Sequence, residues 1–333
     1  MESRWPSSRH AARRFWFRRP YASVVNLRCR GCAGCCLDWR PLVDRGDRTD
    51  QRDGRDESGR SPYPSLDGAY NLVPLERDEV RAFVDAGYGD ALTPRLWRAG
   101  VDDPHVEVGA HRVAAVAGRP AFFVGLRKPS KPVAPFGREE ATWLPTCAFL
   151  DPETLQCRIY GDELYPAECD AYPKHNVALG QETECERVEA ATGERRLLSA
   201  ELTDVDDSGD RLLLGPQAIG GKVFCHPDPD AIADAVDRIA DGATTRADRA
   251  EFVAVAAASS PGTLATSEHH YEDAFERTTR ASSWVGDSID EWGRLAETTG
   301  ADRSRVADPA MAESVEVDRG APETPGWESV DDE

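Results

Sequence analysis

The sequence predicts an α+β chain in which a small, irregular, cysteine-clustered domain with short strands occupies residues 25–227 and a mainly helical portion follows over 228–300. Three observations lead there. Eight of the nine cysteines fall in two groups, Cys29, Cys32, Cys35 and Cys36 in the first and Cys147, Cys157, Cys169 and Cys185 in the second. Short β-favouring runs lie between glycines and prolines in the first two thirds. From Asp228 onward, apolar residues recur at helical spacing between start and stop signals.

Taken in chain order, residues 1–24 form a basic arm whose longest apolar run, Phe15 to Phe17, is too short for a secretory core. No export signal is read. Residues 44–65, DRGDRTDQRDGRDESGRSPYPS, form a polar insert too poor in large apolar side chains to offset the entropy of ordering. In LVPLERDEVRAFVDAG the pattern turns helical, with Val80, Phe83 and Val84 on one face and Gly87 as a stop. Residues 105–126, broken by Gly109, Gly118 and Pro120, predict a meander or hairpin.

Further on, RRLLSAEL and RLLLG flank the acidic turn TDVDDSGD as two more short strands. DPDAIADAVDRIADG has an aspartate cap at Asp228, Pro229 near the first helical position, Ile232, Val236 and Ile239 on one face, and Gly242 after the end. Helical spacing continues over 246–258 and 268–298. Residues 301–333, with ten acids, three arginines and few large apolar side chains, are expected to be a disordered acidic tail.

A chain of 333 residues can bury a real core without cysteine staples. An odd cysteine number and no secretory segment favour a reducing, cytoplasmic setting over a disulfide framework. No apolar run approaches the roughly 18 residues that a spanning helix needs, so a soluble protein with no membrane partner is expected. The formal charge is −20, and only Lys128, Lys131, Lys174 and Lys222 among the 40 basic residues are lysines. This composition resembles that of salt-adapted, halophilic proteins, whose carboxylates keep the surface hydrated. Nucleic-acid binding by the bulk surface is disfavoured. The charge is uneven, with a net +6 over residues 1–60 and −26 beyond.

Scattered buried cysteines behave as small hydrophobes and need no grouping, so the two clusters point to metal coordination. Thiolates bind zinc or iron strongly, and the two-residue spacers in RCRGCAGCC let a tight turn aim successive sulfurs at one ion. Gly31 and Gly34 suit such a turn by allowing positive φ and close approach of amide N–H groups to sulfur. The spacing is not that of a bacterial ferredoxin, because Cys36 directly follows Cys35. Neighbouring side chains usually diverge, so one of this doublet is expected to face a second centre. Eight thiolates match two four-cysteine sites, or one site plus bridging or reactive thiols. Cys225 stands outside both groups and is expected to pack.

These residues resemble the YkgJ-like cysteine-cluster family, described as zinc- or iron-chelating domains that open on CxxCxxCC. The likeness continues in Cys147-Ala148-Phe149-Leu150, in Cys157-Arg158-Ile159-Tyr160, and in Pro166 before Cys169. It covers about residues 26–190. It departs where relatives tend to have Arg-Pro before the third late cysteine and an Arg after it, since this chain has Tyr165-Pro166 and Asp170. The resemblance implies zinc or iron chelation and names a site rather than a reaction; the count of grouped thiols puts the ligands of zinc, or of iron in an iron-sulfur cluster, at Cys29, Cys32, Cys35, Cys36, Cys147, Cys157, Cys169 and Cys185.

The first functional expectation is therefore a metal-binding protein whose partner is the ion itself. Its rival is an iron-sulfur redox enzyme or electron carrier in which Cys35 or Cys36 is a reactive thiolate. No nucleophile elbow, phosphate loop or dinucleotide fingerprint is present. GLRKPSKP is a weak basic patch.

Overall fold

The computed structural model describes residues 24–43, 64–178, 180–201, 218–301 and 307–327. The arm over 1–23, most of the polar insert and the RLLLG segment lie outside the described residues. Strand β1 (Val24–Leu27) enters the fold just ahead of the first cysteine group. Helix α1 (Arg77–Asp85) follows, opened by a reciprocal Glu76/Glu79 capping box, with Val80, Phe83 and Val84 buried as their spacing predicts.

Strands β2 (Leu92–Leu96), β3 (His105–Val108), β4 (His111–Val116) and β5 (Arg119–Leu126) then form an antiparallel sheet in the order β2-β5-β4-β3. The expected meander is its β3-β4-β5 part. Strand β5 is central because its side chains at Phe122, Val124 and Leu126 are buried. A hairpin of β6 (Ser130–Val133) and β7 (Thr142–Pro145) leads into the second cysteine group. That group is carried on through α2 (Ala167–Ala171), α3 (Lys174–Ala178) and α4 (Glu184–Thr192). Strand β8 (Leu197–Glu201) returns to pair with β1. Strand β9 (Phe224–Cys225) adds to β5, opposing Cys225 to Ala121.

The remaining chain is mainly helical. Asp228 Oδ1 accepts from the amides of Asp230 and Ala231 at 3.1 and 3.2 Å, starting a 3-10 turn that becomes α5 (Ala233–Ala240). Helix α6 (Arg246–Ala258) is buried all along Phe252 to Ala258, which makes it the central helix of the core. Its Phe252 ring meets Phe122 edge-on at 5.0 Å and so fastens helix to sheet. The periodicity over 268–298 resolves into two helices, α7 (Glu268–Arg280) and α8 (Trp284–Ala301). The break is held by Asp90, whose carboxylate accepts from the Ser283 amide at 3.0 Å and hydroxyl at 2.7 Å.

The expectation of a disordered tail over 301–333 is corrected for residues 307–327. Helix α9 (Met311–Val315) and a 3-10 turn at Val317–Arg319 fold back onto the body. Composition misleads here because one of the acids, Glu316, is a counter-ion rather than a solvated charge. It is fully buried against Lys131 Nζ at 2.6 Å and Arg158 Nε at 2.8 Å. Ala312 and Val315 supply a small apolar face against Trp292. Among the described residues, no helix is long and apolar enough to cross a membrane.

Candidate functional site

The first cysteine group is wound as successive turns, with the Cys32 amide donating to Cys29 O and the Cys36 amide to Ala33 O, both at 2.9 Å. Gly31 takes the expected positive φ of 69°. The second such residue is Ala33 rather than Gly34, at φ 51°. Gly34 serves by close approach instead, since a Cβ there would lie 2.8 Å from Val188 Cγ2. The two cysteine groups are then joined by backbone, as the Cys147 amide donates to Cys36 O at 2.8 Å.

From Cys147 the chain makes a narrow excursion closed by the Leu150/Cys157 bridge and by Asp151, whose Oδ1 accepts from the Glu153 amide at 2.9 Å. Lys131 Nζ holds this excursion from within, donating to Ala148 O and Leu150 O at 2.8 Å each. Cys169 rides on α2, which is tied to α1 by the Ala167 amide donating to Glu79 Oε1 at 2.7 Å. Cys185 lies in the first turn of α4, whose Thr183/Glu186 capping box fixes its start.

These elements bring Cys35, Cys36, Cys147, Cys157 and Cys169 onto one cavity of about 290 Å³. Its apolar walls include Leu126, Ile159 and Tyr165, and its polar groups include Lys128, Glu184 and Arg187. Cys29, Cys32 and Cys185 do not line it. They form a neighbouring set that meets the first at Cys35: burial pushes the Cys185 thiol up, and the thiolates of Cys35, Cys29 and Cys32 push it further. Burial also raises Cys32 to about 11 and Cys157 to about 12. Cys147 and Cys169 shift upward for the same leading reason.

The doublet departs from expectation. Cys35 and Cys36 do not diverge, because the turn closing at Cys36 leaves their sulfurs 3.8 Å apart. Their mutual hydrogen bond lowers the pKa of Cys35 and raises that of Cys36. At three other cysteines the amide two residues downstream faces the sulfur: Gly34 on Cys32, Phe149 on Cys147 and Ile159 on Cys157. Such N–H groups favour the thiolate form. Among the described residues, no three His, Cys, Asp or Glu side chains converge tightly enough to hold a lone metal ion as the side chains stand.

Sequence reasoning missed Glu184 and Arg187 at the cavity and noted Lys128 only within the weak GLRKPSKP patch, unconnected with the cysteines. Glu184 is buried and accepts from Trp39 Nε1 at 2.6 Å, Tyr70 OH at 2.5 Å and Arg187 NH1 at 3.0 Å. Lys128 donates to Tyr70 O at 3.1 Å, and among the described residues it has no carboxylate partner. The available signal was its place among four lysines in an arginine-dominated chain. Cys225 is buried in β9 and His226 beside it is engaged by Glu251 Oε1 at 2.9 Å, so neither lines the cavity.

The fold and site define a mixed α/β protein with a thiol-lined cavity between its strands and its short helices. Residues 25–328 match the DUF7531 model, described as a family of unknown function, and the chain belongs to that family. No curated protein and no solved structure matches it.

Proposed function

We propose that this chain is a metal-binding protein that holds zinc or iron through cysteine thiolates, in keeping with its resemblance to the YkgJ-like chelating domains. The observation that carries the reading is the convergence of five cysteines from two distant sequence groups on one cavity. Packing alone does not call for it, since buried cysteines used as hydrophobes have no reason to face a common void. The amides aimed at Cys32, Cys147 and Cys157 support the same reading, because a ligating sulfur carries negative charge that such donors stabilise.

Cys36, Cys147, Cys157 and Cys169 form the inner set, and Cys29, Cys32 and Cys185 form an outer set that shares Cys35. A lone tetrahedral zinc with bonds of about 2.3 Å draws its sulfurs to roughly 3.8 Å from one another. The inner thiols would have to close up for that. A multi-iron cluster spreads its thiolates more widely, and the same thiols would hold either metal. Zinc would supply a structural staple, and an iron-sulfur cluster would add electron transfer. The chain's own part is to keep four thiols aimed inward and to set Lys128 against their charge.

Metal counted per chain in single serine variants tests this. Cys157→Ser or Cys169→Ser is expected to lose most of the bound metal, and Cys225→Ser to retain it. Equal metal content in all three would overturn the proposal.

A further inference from the structure

We propose that Cys35 and Cys36 are a redox-active vicinal pair that undergoes thiol–disulfide exchange with a low-molecular-weight disulfide entering the cavity. The two sulfurs stand 3.8 Å apart, with Cys35 exposed and Cys36 half-buried behind it. Both line the cavity, whose volume of about 290 Å³ and apolar walls suit a small organic guest. The backbone beneath the pair is fixed, since the Cys36 amide is bonded to Ala33 O and its carbonyl accepts from the Cys147 amide. The turn thus holds the two Cα–Cβ bonds in place beneath the converging sulfurs. Packing does not require their convergence, because an exposed thiol at a cavity mouth covers no core.

The chemistry divides by access. The Cys35 thiolate attacks one sulfur of the incoming disulfide RS–SR′, that bond breaks, and R′S⁻ departs and takes up a proton. The Cys36 thiolate then attacks the Cys35 sulfur of the mixed disulfide, RS⁻ departs and is protonated, and a Cys35–Cys36 bond remains. The pair has lost two electrons and two protons, and the small disulfide has gained both as two thiols. Adjacent Cα atoms lie about 3.8 Å apart across a trans peptide. Disulfides usually span roughly 4.4–6.8 Å. The vicinal bond is therefore strained and readily reduced, which suits a cycling site better than a permanent staple.

The exchange itself does not require a metal. Its consequence for the metal does rest on the function proposed above: a bond to Cys35 withdraws Cys36 from the inner ligand set, so oxidation should release the ion.

The test uses the full chain, purified anaerobically and reduced with a phosphine that is then removed. It is treated with a large excess of 2-hydroxyethyl disulfide, which drives even a strained bond to form, then capped with N-ethylmaleimide and mapped by peptide mass, with metal measured before and after. The expected result is a peptide containing both cysteines, uncapped and lighter by two hydrogens, with two mercaptoethanols released per chain. Cys36→Ser should stop at a mercaptoethanol adduct on Cys35. If the wild-type peptide carries two maleimide caps after treatment, or if the new bond joins other cysteines, the proposal is overturned whatever the metal content. If the bond forms in a chain that never held metal, the exchange pair stands and the metal reading falls. If it forms and bound metal stays, the pair stands and Cys36 is not a ligand.

Discussion

Replacing Glu316 with alanine should cost this protein a large part of its stability. Glu316 is fully buried, and its two oxygens accept from Lys131 Nζ at 2.6 Å, Trp292 Nε1 at 2.8 Å and Arg158 Nε at 2.8 Å. In the variant, Arg158 keeps Asp151 at 3.1 Å as a counter-ion, whereas Lys131 is left with two carbonyls and no carboxylate. An uncompensated buried charge of this kind costs about 3–5 kcal/mol. The loss should be read by urea unfolding followed through tryptophan fluorescence. Because Lys131 also grips the carbonyls of Ala148 and Leu150, the thiols of Cys147 and Cys157 should become more reactive toward a maleimide in the same variant. The double variant Lys131→Met, Glu316→Leu removes both charges and should recover most of the stability. A loss below about 1 kcal/mol for Glu316→Ala, or a double variant no better than the single, would mean that Lys131 is not left as a costly buried charge.

Other expectations are independent of that network. Asp248 is buried, which alone would raise its carboxyl, yet Arg238 and the Thr245 cap hold it down at about 2. Against its unfolded value this contributes about 2 kcal/mol, present in full above about pH 4 and lost as pH falls toward 2. Asp248→Asn should flatten the acid limb of the stability curve in that window, and an unchanged limb would contradict it. Phe252→Ala empties the contact between α6 and the sheet and should cost about 3–5 kcal/mol by denaturant titration. Gly125→Ala would drive a Cβ into the Val73 carbonyl and to 2.8 Å from Leu72 Cγ. It should cost about 1–3 kcal/mol and reshape the cavity wall that Leu72 and Val73 supply. A fully stable Gly125→Ala protein would mean that this wall yields freely.

Local patterns carried much of the fold. Val80, Phe83 and Val84 on α1, and Ile232, Val236 and Ile239 around α5, are buried where their spacing puts them. The β3-β4-β5 meander follows the glycines and proline that break its sequence. What escaped depends on partners far away in the chain. The break between α7 and α8 is set by Asp90, 193 residues from Ser283, and a smooth helical period cannot reveal it. The folded tail depends on Glu316 meeting Arg158, 158 residues earlier, so its acidity read as solvation.

The candidate site shows the same division. Grouping of the cysteines was plain in the sequence, but which of them share a cavity was not, because α2 and α4 turn Cys169 inward and leave Cys185 with Cys29 and Cys32. In the doublet only the expected divergence fails, since the sulfurs of Cys35 and Cys36 stand 3.8 Å apart. Glu184 carried no motif and Lys128 only the weak GLRKPSKP patch, so only packing places them at the cavity.

The central claim is that these thiols hold a metal, and the most direct measurement is elemental analysis with a visible spectrum on protein purified without oxygen. The expected result is at least about one zinc or iron per chain, in the iron case with acid-labile sulfide and broad absorption near ~400 nm. That metal should be absent when Cys36, Cys147, Cys157 and Cys169 are all serine. Wild-type protein with no more zinc or iron than the four-serine chain would contradict it.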